Sequence, residues 1–430
     1  MRLDCRTTTL PNGVRFYTEH VPAVSSAALG IWVGTGSREE KASENGAAHF
    51  IEHMLFKGTS THTAREMAQR MDAIGGQMNA FTTKECTCFY GRALNTHLGE
   101  AADILCSMFF DAKFAEEDVQ TERGVILEEI GMYADDPADL VMERMSAAIY
   151  KGSSLARPIL GKKSTLEKMT GQWLKEYKQS HYTPDRVVVS LAGSFEDAFV
   201  EELMERFAAM EQGHLKPSKP AVYHPAMTLK RKATEQNHLL LTFPSISDTD
   251  PRRFPMQLLS SILGGGMSSR LFQEVRERQG LCYNVYTYGS GYQETGTFSI
   301  YAALNKETEM QALSAIRQVV EQFTQDGVTE QELNRVRELA KANVLMGLES
   351  TTARMNSMAR AALRGEKVRT EEEIIAAYDA VTAEEIRTLA QETFQWAQCA
   401  FSAVGKVDTE EHYHQNIHAL GTLTKGQSAG

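Results

Sequence analysis

The predicted order of strands and helices occurs twice along the chain, and this repetition limits the possible folds more than any other feature. Residues 6–33 and 78–94 have the alternation and the Thr, Phe and Tyr content of strands, and helical periodicity follows at 95–133. A comparable order returns after residue 234, with strands predicted at 283–304 and long helices at 306–347. We therefore predict an α+β fold of two homologous domains, each a mainly antiparallel β-sheet packed with α-helices.

Short sequence matches accompany this repetition. Arg92-Ala93-Leu94-Asn95 resembles residues 302–305, and residues 115–119 resemble 329–333. These matches share an offset of about 210 residues, as duplication predicts, although similar helix-start chemistry could also produce them. Prolines and basic residues without a clear period separate the two copies. The predicted division is a first domain at 1–211, a linker at 212–235, a second domain at 236–420 and a flexible tail at 421–430.

Composition indicates an ordinary globular protein. The chain has 430 residues, of which 42% are hydrophobic and 23% are charged. It contains no run of about 18 apolar residues that could span a membrane, and residues 1–10 lack the apolar segment of a secretory signal. We therefore expect a cytoplasmic protein without a membrane interaction.

Charge and cysteine spacing exclude several classes of site. The net charge of −11 argues against nucleic acid as a partner and is compatible with attraction of basic peptides. None of the 6 cysteines shows CxxC spacing, which argues against a zinc ribbon or a redox pair.

A candidate metal motif lies in the predicted helix at 44–57. His49 and His53 are four residues apart, so both imidazoles lie on one helix face and can reach one ion. Glu52 lies beside His53, where its carboxylate can contact a water on that ion. This HxxEH pattern is the inverted form of the zincin motif. A polar helix face without metal is the alternative interpretation of these residues alone.

A catalytic zinc site needs a third protein ligand from another element. The predicted helix at 115–133 offers Glu122, Glu128 and Glu129 in the segment ERGVILEEIG. Glu122 and Glu129 are two turns apart on one face, beside an apolar stripe of Val125, Ile126 and Ile130 that we expect to be buried. One of these glutamates could ligate the metal while the other supports a histidine.

HFIEH followed by Glu129 in ERGVILEEI resembles the pitrilysin/insulinase family of zinc peptidases. The resemblance is strongest to its shorter-chain branch, which includes the β-subunit of mitochondrial processing peptidase and bacterial relatives, and it covers nearly the whole chain. It implies His49, His53 and Glu129 as zinc ligands, Glu52 as general base and Glu122 as a carboxylate that orients a ligand. It also implies that the first domain is catalytic and that the chain forms one half of a clamshell.

The resemblance implies substrate-binding residues in both copies. Residues 75–82 resemble an edge strand to which the substrate adds its backbone, with Asn79 and Ala80 beside the scissile bond. On residue chemistry alone, Asn79 would be a turn residue. In the second copy, the spacing of Arg276 and Tyr283 resembles the family's Arg/Tyr pair, which contacts substrate and stabilises the oxyanion.

The second copy has lost the metal-binding residues. Alignment of the copies places Met256, Leu259 and Ser260 opposite the HxxEH residues, and Asn343 opposite Glu129. One Zn²⁺ per chain follows, although sites with two histidines and a glutamate accept several first-row ions.

The expected activity is a zinc-dependent metalloendopeptidase that hydrolyses peptides or unfolded, presequence-like segments, with Glu52 as base for a zinc-activated water. The alternatives are a non-catalytic scaffold subunit of a processing-peptidase-like complex and a metal hydrolase of non-peptide substrates. The resemblance further implies paired subunits, with Arg276 and Tyr283 of one subunit facing the zinc of the other. The intact motifs favour a homodimer over a heterodimer with a paralogue that lacks zinc ligands.

Overall fold

The computed structural model of the protein describes residues 5–213 and 218–417. These residues form two compact units, each with a mixed β-sheet and packed helices, which confirms the predicted α+β class. The predicted tail at 421–430 lies outside the described residues. Every helix in the described ranges is too short or too polar to cross a membrane.

The first unit contains a six-stranded sheet in the order β1-β2-β6-β3-β5-β4. The strand β2 pairs in parallel with β6, and the other neighbours are antiparallel. Its main core lies between this sheet and the helices of the same unit. The strands are β1 (Cys5–Thr9), β2 (Arg15–His20), β3 (Ser26–Val33), β4 (Gln77–Thr82), β5 (Thr87–Leu94) and β6 (Val187–Gly193).

The helices of the first half agree closely with the sequence patterns. A capping box begins the second helix, since the Thr63 side chain accepts from the Glu66 N–H and Glu66 accepts from the Thr63 N–H. The helices are α1 (Ala47–Leu55), α2 (Ala64–Ala73), α3 (Leu98–Asp111), α4 (Glu116–Asp135), α5 (Pro137–Ile149), α6 (Lys163–Leu166), α7 (Gly171–His181) and α8 (Asp197–Ala208).

The second unit contains a five-stranded sheet in the order β7-β11-β8-β10-β9. Its strands are β7 (Met227–Arg231), β8 (Asn237–Ser245), β9 (Cys282–Gly291), β10 (Gly296–Leu304) and β11 (Ala400–Gly405). The helices of the second half are α9 (Arg253–Gly264), α10 (Glu309–Asp326), α11 (Glu330–Gly347), α12 (Thr351–Leu363), α13 (Glu371–Asp379), α14 (Ala383–Thr393) and α15 (Glu410–Ile417).

The two sheets have the same topology once β1 is set aside. The series β2-β6-β3-β5-β4 corresponds to β7-β11-β8-β10-β9, and in both series only the first pair is parallel. Equivalent strands also hold a helix in the same way. The buried Ser190 on β6 donates to the main-chain oxygen of Met355 at 2.9 Å, and the buried Ser402 on β11 donates to that of Val141 at 3.0 Å. Shared topology and shared detail support duplication of one ancestral domain.

The compact units are discontinuous along the chain. The helix α5 packs on β11, β8 and β7 of the second sheet, whereas α12 packs on β6, β3 and β2 of the first sheet. Over the described residues, the first unit is drawn from the ranges 1–130, 157–219 and 343–372. The second unit is drawn from the ranges 131–156, 220–342 and 373–430, again only where the structure describes them. They differ from the contiguous 1–211 and 236–420 copies, because each copy contributes one helix to the other unit. The predicted 212–235 linker also contains the strand β7.

Close approach of α12 to the first sheet depends on Gly30 of β3. A Cβ at this position would lie 2.5 Å from the sulfur of Met355. The same sulfur accepts a hydrogen bond from the buried indole N–H of Trp32 at 3.3 Å. A side chain at residue 30 would force the Met355 thioether and the Trp32 indole to move from this contact.

Candidate metal centre

Two helices of the first unit bring three candidate metal ligands together. On α1, the Nε2 atoms of His49 and His53 lie 3.6 Å and 3.7 Å from Oε2 of Glu129 on α4. Donor atoms of all three residues lie within 4.8 Å of one another. Tetrahedral zinc with bonds of roughly 2.0–2.1 Å places its ligand atoms about 3.4 Å apart. The donor set therefore matches a catalytic zinc site in ligand type and spacing.

The buried start of α1 prepares His49 for coordination. The His49 and His53 rings are 4.7 Å apart, as expected for residues one helical turn apart. Burial, followed by the nearby His53, lowers the pKa of His49 to about 4. The imidazole is therefore neutral at pH 7, with a lone pair available for a metal.

Glu122 lies on α4 two turns before Glu129 and contacts the second ring nitrogen of His53, Nδ1. Its Oε2 is 3.0 Å from Nδ1 of His53, and its Oε1 is 2.7 Å from Nζ of Lys57. When this carboxylate accepts a hydrogen bond from Nδ1–H, the proton of the neutral ring is held at Nδ1 and the lone pair of Nε2 faces Glu129. This geometry fits the orienting role predicted for Glu122.

The buried face of α4 differs from the predicted stripe, because Val125 is exposed and Ile130 is only half-buried. Its fully buried members are Val119, Glu122 and Ile126, whereas Val125 is 47% exposed. Spacings of three and four residues define the buried face, and Val125 lies about 100° away from Ile126 around the helix. The expectation that Val125 is buried was wrong. Glu128 is exposed and lies outside the group of candidate ligands.

Glu52 is held by the strand β4. Its Oε2 accepts a hydrogen bond from the hydroxyl of Thr82 at 2.5 Å. Burial raises the pKa of the Glu52 carboxyl, while the Thr82 hydrogen bond and His53 act in the opposite direction. Glu52 lies on α1 with both histidines, and the strand β4 holds one of its carboxylate oxygens. This arrangement suits a general base, because the other oxygen can accept a proton.

Asn79 and Ala80 lie on β4, which is an edge strand as expected. The side chain of Asn79 is exposed, and its Oδ1 accepts from the Ala80 N–H at 2.8 Å. Asn79 is therefore a strand residue and not a turn residue. The role of both residues in substrate binding stays a prediction.

Arg276 and Tyr283 contact each other within the second unit. The Arg276 guanidinium lies 4.8 Å from the Tyr283 ring and 4.6 Å from the Phe272 ring, and Tyr283 is 74% exposed. Arg276 belongs to a π-helical segment, Phe272–Arg278, and such segments are frequent at functional sites. The structure brings the predicted pair together, and its action on substrate stays a prediction.

Sequence reasoning missed Thr82 and Lys57. Both had a signal in the chain, since Thr82 shares a strand face with Ala80 and Lys57 lies four residues after His53. In each case the partner comes from another element, so the spacing alone did not identify it.

Comparisons with known proteins show the family of the chain. Residues 15–163 match a family model described as Insulinase (Peptidase family M16), and residues 168–339 match one described as Peptidase M16 inactive domain. A Bacillus subtilis protein named an uncharacterized zinc protease is 41% identical over 387 residues, which cover 90% of this chain and 95% of that protein. A Streptomyces coelicolor protein of the same description is 38% identical, covering 90% of this chain and 86% of the other.

Solved structures support the fold. A Pseudomonas fluorescens peptidase M16 inactive domain superposes with a TM-score of 0.88 at 19% identity, covering 95% of this chain and 99% of that chain. A Helicobacter pylori protease gives a TM-score of 0.87 at 19% identity, with 94% and 100% coverage. A chain of complex III2 from Candida albicans gives 0.81 at 18% identity, with 96% and 99% coverage. Since the fold occurs in proteins of such different description, the function must be argued from the site.

Proposed function

The chain belongs to peptidase family M16, and from this membership we propose that it is a zinc-dependent metalloendopeptidase. Its substrates would be peptides or unfolded, presequence-like segments. Close relatives named zinc proteases support the general class. The action of Glu52, the number of metal ions and the substrates are our proposal.

The spacing of the three donor atoms near a fixed carboxylate is the observation that carries this proposal. His49, His53 and Glu129 would hold one zinc ion, and Glu122 would keep His53 in the required tautomer. When bound, the metal supplies a Lewis acid that lowers the pKa of water and polarises a peptide carbonyl. Among the described residues, these three form the single group of this kind, which agrees with one zinc per chain.

Glu52 would act as general base and then as general acid. Its free oxygen accepts a proton from the attacking water, while Thr82 holds the other oxygen in place. After the tetrahedral intermediate forms, Glu52 delivers this proton to the leaving amine. Water thereby adds across the peptide bond and one carboxylate serves both steps.

The substrate would bind as an added strand on β4. An edge strand offers backbone groups to an extended peptide, so recognition would depend little on substrate side chains. Asn79 and Ala80 would lie next to the scissile bond. We further propose a homodimer in which Arg276 and Tyr283 of one subunit contact the substrate held by the other.

Digestion of a mixed peptide library with and without a chelator tests the proposal. Cleavage of several peptides that stops with chelator and returns with zinc is the expected result. Stable zinc binding without cleavage of any peptide would favour the non-catalytic scaffold. Hydrolysis of non-peptide esters or amides alone would indicate a different metal hydrolase.

A further inference from the structure

The helix α1 begins without a side-chain cap of its own. Its N-cap is Gly46, which has a φ of +101° and no side chain to accept the first N–H groups. Glu40, six residues earlier, provides the missing acceptors. Its Oε2 accepts from the Gly46 N–H at 2.9 Å and its Oε1 from the Ala48 N–H at 2.9 Å.

Further hydrogen bonds tie this cap to the segment 157–165. Asn45 donates from Nδ2 to Oε2 of Glu40 at 2.9 Å and to the main-chain oxygen of Pro158 at 2.8 Å. Thr165 donates from its hydroxyl to the main-chain oxygen of Asn45 at 2.7 Å. The Arg157 guanidinium donates to the main-chain oxygen of Glu40. The start of α1 is therefore held by Glu40 and by the segment 157–165.

Gly46 and Gly161 allow the start of α1 to lie against the segment 157–165. A Cβ on Gly46 would lie 2.9 Å from Cα of Gly161, and a Cβ on Gly161 would lie 2.5 Å from the main-chain oxygen of Asn45. Gly161 also has a positive φ, +82°, which disfavours other residues. The backbones approach each other too closely for side chains at either position.

The Glu40 cap is close in sequence to the metal site. Glu40 accepts a hydrogen bond from the N–H of Ala48, the residue directly before His49. Since α1 has only 9 residues, we expect a displaced first turn to move His49 and also Glu52, which lies about one turn later. A negative charge at the N-terminus of α1 also interacts favourably with the helix dipole. Burial raises the pKa of Glu40 to about 7, and the hydrogen bonds from Ala48, Asn45 and Gly46 act against this rise.

We infer that Glu40 is a positioning residue of the proposed metallopeptidase, which fixes the first turn of α1 and thereby the places of His49 and Glu52 relative to Glu129. The inference rests on the proposed function. The Glu40 carboxylate accepts from Asn45, Gly46 and Ala48, so it acts on the candidate ligands and on Glu52 through the helix.

The variant Glu40→Gln tests this inference. Both carboxylate oxygens of Glu40 accept from main-chain N–H groups, and the glutamine places an NH₂ group, which cannot accept, against one of them. We expect zinc affinity, measured by chelator competition, to fall about 10-fold. We expect kcat per zinc-loaded molecule to fall about 10–100-fold, with KM within about twofold of wild type, since the substrate strand is untouched. Thr165→Val removes the contact of the Thr165 hydroxyl with the main-chain oxygen of Asn45, together with its contacts to Lys162 at the start of α6. It should change both quantities in the same direction by a smaller factor.

Glu66→Gln is the matched control, because Glu66 caps the neighbouring helix α2 in its capping box. It should leave zinc affinity and kcat unchanged, because the glutamine oxygen can still accept from the Thr63 N–H. Equal zinc affinity and kcat in Glu40→Gln and wild type would overturn the inference, as would an equal loss in Glu66→Gln. A wild-type protein that neither binds zinc nor cleaves peptides would instead overturn the proposed function.

Discussion

Replacement of Thr82 by Val removes one hydrogen bond from the proposed base and keeps the side-chain shape. The Thr82 hydroxyl donates to Oε2 of Glu52 at 2.5 Å in a partly buried setting. Hydrogen bonds to charged groups contribute about 1.5–3 kcal/mol, and about 1.4 kcal/mol corresponds to a tenfold change in rate. If the whole bond energy is lost from the transition state, kcat falls by about 10–150-fold.

Steady-state hydrolysis of a fluorogenic peptide measures this effect. Thr82→Val should lower kcat with little change in KM, because the peptide-binding backbone of β4 remains. Thr82→Ser restores the hydroxyl and should recover most of the rate. Zinc content of each variant must equal that of wild type, so that lost metal does not mimic a misplaced base. A zinc-loaded Thr82→Val enzyme with wild-type kcat would refute the proposed link between β4 and Glu52.

Further substitutions distinguish the roles of metal ligands, of the groups that support them and of packing contacts. Glu129→Ala should lose bound zinc, which metal analysis of the purified protein detects; wild-type zinc content would reassign the third ligand. Glu122→Gln should retain the fold and weaken zinc affinity or activity about 10–100-fold, as chelator competition and kinetics can show, and an unchanged variant would contradict its orienting role. Gly30→Ala should lower the free energy of unfolding by about 1–3 kcal/mol in urea titrations, because its Cβ would overlap the Met355 sulfur and the Trp32 indole, whereas wild-type stability would show that these side chains repack freely. Mixed Glu52→Gln and Tyr283→Phe proteins should regain activity if dimers share residues in trans, whereas no recovery despite measured subunit exchange would exclude sharing.

Local patterns predicted the fold class and most of the elements near the site. Periodicity placed the helices that became α1, α3 and α4 within a few residues, because this signal acts over short distances. The exchange of α5 and α12 between the units was not predictable in this way. Both are amphipathic helices, and nothing in a local pattern states which sheet each one covers.

For the candidate site, contacts within one element were predictable and contacts between elements were not. The spacing of His49 and His53 follows from one helix, so the sequence alone places them together. The bond from Thr82 to Glu52 joins separate elements and becomes visible only in three dimensions. The cap on α1 was also missed, because rules for helix starts consider the residue at the N-cap, whereas Glu40 lies six residues before Gly46.

Peptide hydrolysis by zinc-loaded wild-type protein and zinc-loaded Glu52→Gln is the most direct test of the central claim. Cleavage of the same peptide library, followed by mass spectrometry, gives the rate for each protein, and metal analysis establishes equal zinc content. The proposed mechanism predicts cleavage by wild type and a loss of about 10²–10⁴-fold in Glu52→Gln, because the variant keeps the candidate ligands and loses the base. Near wild-type turnover by zinc-loaded Glu52→Gln would contradict the mechanism.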